Sequence, residues 1–186
     1  GTTIDGVDIT SDAGPISFTG NVTVTTGAVV ISNGVAGGAG ANITFNNDLT
    51  LDGTDDGQDL TIIAGGSDVV FTGAVQINTS DIIVASSRFT QLTTGLGGTI
   101  GNVNFTTTNR TDVDGAIALT GAGTVTLDAA TISGVNVSTS GGNIEFSGAV
   151  ELDTGAVAIA TGAVAGNVQF LSTVSGGQNL ALTVAG

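Results

Sequence analysis

The sequence contains no cysteine, histidine, lysine, methionine, tryptophan or tyrosine, and one proline, Pro15. Without Cys or His there are no disulfides and no thiolate or imidazole ligands for zinc. The side chains that serve as nucleophiles and general bases near neutral pH are missing together, which leaves carboxylate chemistry. Arg88 and Arg110 stand alone against 14 Asp and 2 Glu, for a net charge of -14. Two guanidiniums among so many anions make no footprint for nucleic-acid phosphates. No apolar run approaches the ~18 residues of a membrane-spanning helix, so membrane insertion is not expected.

What is present is small and strand-forming. The 186 residues include 31 Gly and 43 Ser plus Thr. Hydrophobic residues make up 40% and the mean hydropathy is +0.44, unlike the polar, highly charged composition of disordered chains. Apolar and polar residues alternate in Val22-Thr-Val24, Leu49-Thr-Leu51, Val75-Gln-Ile77 and Ile117-Ala-Leu119. Period two predicts strands with one buried face, here three to five residues long and punctuated by Gly, Asn, Asp or Ser.

Internal repetition selects among the all-β architectures. Six segments share a turn residue followed by aliphatic-x-Phe: 15–18, 42–45, 68–71, 102–105, 143–146 and 167–170. The units 15–34, 68–87 and 143–162 continue in one pattern, and Leu127 takes the Phe position in 124–142. Three short strands in about 20 residues make one coil of a parallel β-solenoid, which buries its apolar face by stacking on the next coil. About eight coils are expected across a single domain, 1–186, wound right-handed as parallel crossovers prefer. Phe18, Phe45, Phe71, Phe105, Leu127, Phe146 and Phe170 are expected to form one interior ladder. Asn at the start of four Phe strands predicts a left-handed corner or an Asn hydrogen-bond ladder. Val35–Ala41, Leu51–Asp59 and Arg88–Gly101 interrupt the period and read as protruding loops, where solenoids usually bind.

Gly-Asn-Ile-x-Phe-x-Gly-x-Val with a later Gly-Gln-Asn-Leu-x-Leu, seen at Gly142–Val150, Gly166–Val174 and Gly177–Leu182, resembles the repeats of filamentous-haemagglutinin-type proteins and giant extracellular adhesins. The resemblance implies a right-handed parallel β-helix, secreted to the cell surface or beyond, that serves as a stalk, filament or adhesive rod. Both ends read as strand, at Thr2–Thr10 and Leu180–Val184, without a polar cap. Such ends are expected of a repeat section in a longer polypeptide, or of a protomer that stacks end to end or bundles laterally.

Few residues are candidates for a site. Asp52, Asp55, Asp56 and Asp59 crowd one Gly-containing corner and could supply oxygens to calcium, or form a solvated acidic loop. Asp112 and Asp114 form a smaller pair. Arg88-Phe89 places a ring outside the ladder beside one of the two cations, as a lateral contact or a locally paired feature. Loops 52–59 and 88–101 would be the contact points of a glycan- or surface-binding module. Catalysis is not expected: a glycosidase needs two carboxylates ~5–9.5 Å apart, and the Tyr and Trp of sugar platforms are missing. Sequons stand at Asn21, Asn42, Asn78, Asn104, Asn109 and Asn136.

Overall fold

The structure, a computed structural model, describes residues 1–33, 41–52, 59–162 and 164–185, apart from the side chain of Ser86. Among these residues every regular element is a strand, and three strands make a coil. The first coil is β1 (Thr2–Asp5), β2 (Ile9–Thr10) and β3 (Ile16–Phe18); the second is β4 (Val22–Thr26), β5 (Val29–Ser32) and β6 (Ile43–Phe45). The third is β7 (Leu49–Leu51), β8 (Leu60–Ile63) and β9 (Val69–Phe71). The fourth and fifth each have one long strand that bends through a corner and serves two sides. They are β10 (Val75–Ile77) with β11 (Ile82–Leu92), and β12 (Gly95–Gly98) with β13 (Val103–Val113). The sixth is β14 (Ala116–Leu119), β15 (Val125–Leu127) and β16 (Ala130–Ile132). The seventh is β17 (Val137–Ser138), β18 (Ile144–Phe146) and β19 (Val150–Leu152). The eighth is β20 (Val157–Ala160), β21 (Val168–Phe170) and β22 (Val174–Gly176), and β23 (Leu180–Thr183) begins a ninth.

Every pairing is parallel and joins equivalent strands of successive coils. The first side is a continuous nine-stranded sheet, β1-β4-β7-β10-β12-β14-β17-β20-β23. The second and third sides merge into one sheet because β11 and β13 belong to both. Thr2 pairs with Val22, Val22 with Leu49, Leu49 with Val75 and Val75 with Leu96. Coil length therefore varies: the two longest steps, Val22 to Leu49 and Leu49 to Val75, are the ones that contain 34–40 and 53–58.

Alternation explains the interior. Val22, Val24, Leu49, Leu51, Val75 and Ile77 point inward on the first side and are buried. The residues between them, Thr23, Thr50 and Gln76, face outward. Corners need backbone shapes that side chains resist. Gly134 and Gly155 stack on each other between the third and first sides, both with φ of 65°, in the left-handed region where Gly alone is unstrained.

The Phe positions depart from the expectation of one ladder. Phe18, Phe45 and Phe71 stack on the third side, with centroids 4.9 and 5.2 Å apart. Phe105, Leu127, Phe146 and Phe170 align on the second side. Phe71 is followed in its own column by Leu92, and Phe105 is preceded in its column by Val84. The two columns meet where Phe71 and Phe105 lie 6.2 Å apart across the interior. The cause is the segment 88–101, which is not an inserted loop. Thr90, Leu92, Leu96 and Gly98 are inward residues of β11 and β12, so this stretch supplies ordinary sides and advances the Phe motif by one side. Gly98 must be small: a Cβ there would lie 2.0 Å from the carbonyl oxygen of Ile77.

Both ends of the stack are open. In the first coil Ile9, Ile16 and Phe18 are only partly buried, and Val7 is 63% exposed. In the last, Leu171 and Leu182 are 55% and 51% exposed.

Candidate functional site

The acidic corner is partly outside the described residues: Asp55 and Asp56 fall there, and with them the centre of the loop 52–59. Asp52 and Asp59 flank it. Asp59 is already engaged, its Oδ1 accepting the backbone N–H of Asp81 at 3.1 Å. The backbone carbonyl of Asp52 accepts Asn78 Nδ2 at 3.0 Å. Among the described residues no three carboxylates converge as metal ligands would.

Asp59 is one rung of a longer device. Asp81 Oδ1 accepts both the backbone N–H and the Nδ2 of Asn102, at 2.7 and 2.9 Å. Asn102 Oδ1 in turn accepts the backbone N–H and the hydroxyl of Thr124, at 2.9 and 2.8 Å. Farther along the same corner, Asn143 Oδ1 accepts the N–H of Asn167 at 2.9 Å. Asn42 does the same for Asp68 before the third side, Asp48 for Ala74 before the first, and Asn136 for Ala158 near the start of β20. A turn places an N–H that the strand ladder does not use, and the short Asx side chain one coil below reaches it. The ladder form of the Asn expectation is seen at Asn42, Asn102 and Asn143. The participation of Asp59, Asp81 and Thr124 went unread because those residues do not precede a Phe strand.

Arg88 and Phe89 lie in β11, on a strand and not on a protruding loop. Arg88 pairs with Asp68 of the coil below through two bonds of 2.8 Å. That pairing holds the Arg88 guanidinium above its ordinary pKa, chiefly through the hydrogen bond and then the charge of Asp68. Phe89 lies beside both cations, 5.3 Å from the Arg88 guanidinium and 5.9 Å from that of Arg110. Arg110 Nε lies 2.7 Å from Asp112 Oδ1. Burial raises the Asp112 carboxyl above its usual value, Arg110 opposes the rise and Asp114 adds to it. Asp114 also accepts Gln91 Nε2 at 3.4 Å. Both cations are thus neutralised locally, and the other described carboxylates have no ion-pair partner. Of the sequon asparagines, Asn42, Asn78 and Asn136 are used in bonds between coils, while Asn21, Asn104 and Asn109 are exposed.

These features define a parallel β-solenoid whose polar side chains mainly tie coil to coil. Compared with known protein families, curated proteins and solved structures, the chain matches none.

Proposed function

We propose that this chain is an extracellular structural β-solenoid, a section of a rod, filament or adhesin stalk. The observation that carries the reading is the continuous parallel sheet of nine strands from β1 to β23. At ~4.8 Å per strand, eight coils make a rod on the order of 40 Å long, with its hydrogen bonds running along the axis. Its interior is Val, Ile, Leu and Phe, and the ladders at the corners bind each coil to the next. The likeness of Gly142–Val150 and Gly166–Val174 to filamentous-haemagglutinin-type repeats supports a cell-surface or extracellular setting. So does a composition without the oxidation-prone residues Cys, Met, Trp and Tyr. It favours building over catalysis.

The partner is a further coil. Open edges at both ends, with Phe18 at one and Phe170 and Leu182 at the other half-buried or exposed, suit stacking on another copy or on adjoining sequence. Unpaired carboxylates along the sides suit lateral bundling through divalent cations, and calcium at the corner 52–59 belongs to the same proposal. Small-angle scattering across a concentration series tests the reading: the longest dimension should grow while the cross-section stays fixed. A calcium titration of the unfolding midpoint tests the metal, and no shift at millimolar calcium would remove it.

A second reading is binding of surface glycans. Phe89, the one Phe outside the interior columns, presents a half-buried ring beside two cations, and the acidic segment 52–59 is the other contact point the sequence offers. Loss of glycan binding in Phe89→Ala would favour it; absence of binding to any glycan on an array would end it.

A further inference from the structure

The corner between the second and third sides buries hydroxyls on two adjacent coils. The fourth coil places Ser87 and Thr90 there, the fifth Thr107 and Thr111, and none of the four is more than 3% exposed. Ser87 pairs with Thr107 and Thr90 with Thr111 across the two coils. The two hydroxyl pairs differ in spacing. Ser87 and Thr90 are three positions apart, and their hydroxyls bond each other at 2.9 Å. Thr107 and Thr111 are four positions apart: the pairing register slips between Ala85 and Ser87 and slips back between Ser87 and Phe89, so corners of equal length place their hydroxyls at different spacings. Neither Thr107 Oγ1 nor Thr111 Oγ1 has a hydrogen-bond partner.

Buried hydroxyls without partners are rare in folded proteins, because nothing replaces the water they lose. The usual remedy is an internal water making two to four bonds. We propose that Thr107 and Thr111 share one buried water, which replaces the direct bond between Ser87 and Thr90 one coil below. The extra position between the two Thr accompanies the loss of the direct contact. The site lies where the Phe column passes from the third side to the second. A hydrated corner lets two long strands bend there without collapsing.

Two measurements on the full chain test the site. High-resolution diffraction should show one ordered water about 2.7–3.1 Å from both Oγ1 atoms; an empty corner, or direct contact of the two hydroxyls, overturns the proposal. In solution, Thr107→Val and Thr111→Val should each lower the urea midpoint, and the double variant should lose less than the sum. If the hydroxyls are simply unpaired, each Val raises the midpoint and the proposal fails. If both lower it but add, the hydroxyls have separate partners and the sharing fails. The diffraction result decides by itself should a variant not fold.

Discussion

Arg88 grips Asp68 across one coil, Nε on Oδ1 and Nη2 on Oδ2, both at 2.8 Å. Asp68 meanwhile takes its own place in the ladder by donating its backbone N–H to Asn42. One acidic corner residue thus ties three successive coils. Arg88→Lys keeps the charge but loses the planar fork that matches a carboxylate. It should lower the urea midpoint almost as far as Arg88→Ala. Equal stability of Arg88→Lys and the parent would mean that charge alone matters there.

The ladder at Asn102 predicts a graded response. Asn102→Ala removes the acceptor used by the N–H and hydroxyl of Thr124 and should cost about 1 kcal/mol. Asn102→Asp keeps an acceptor there but sets a second carboxylate against Asp81 and removes a donor to it. It should therefore cost more at neutral pH. As pH falls toward the carboxylate range near 4, protonation relieves that repulsion and the Asp variant should recover relative to Ala. Urea titrations at pH 7 and pH 4 read both effects.

The interior columns separate two kinds of Phe. Phe146 is fully buried and stacks on Phe170 at 5.1 Å, so Phe146→Ala should cost about 3–5 kcal/mol through lost burial and a cavity. Phe89 packs outside the columns, and Phe89→Ala should cost about 1 kcal/mol, the scale of exposed cation–ring contacts. Chemical denaturation of the two variants gives the comparison. Similar losses would place Phe89 in the core.

Asp112 gives a pH-dependent prediction. Its carboxyl is raised above the ordinary value of 3.8, by burial first, with Arg110 pulling the other way. The folded chain thus holds that proton more tightly than the unfolded chain. Ionised Asp112 costs stability at neutral pH, and the cost disappears as pH falls through the raised value toward 3.8. Asp112→Asn should raise the thermal midpoint at pH 7, with an advantage that shrinks on acidification. A midpoint lowered at pH 7, with a deficit that shrinks on acidification, would mean that the pairing with Arg110 outweighs burial.

Much of this fold is legible in the sequence. Val22-Thr-Val24 and Leu49-Thr-Leu51 alternate because one face is buried, and the recurring aliphatic-x-Phe marks a stack of coils. The segment 88–101 was misread because Arg-Phe-Thr-Gln-Leu and Gly-Leu-Gly-Gly lack that signature. Gly98 reads as a loop residue, yet it is a strand residue kept small by the carbonyl of Ile77. The single ladder failed for the same reason: chain spacing cannot tell an inserted loop from one more side, whereas the pairing of Leu92 with Phe71 can. The ladder through Asp59, Asp81 and Thr124 depends on which corner lies above which, and that follows from coil length.

The central claim is that these coils form a structural stack whose ends accept further coils. Electron microscopy of the concentrated full chain tests it most directly. The account predicts unbranched filaments one solenoid wide, with an axial repeat of about 4.8 Å. Isolated short particles at every concentration, with the end-coil residues Val7 and Leu182 still open to solvent, would contradict it.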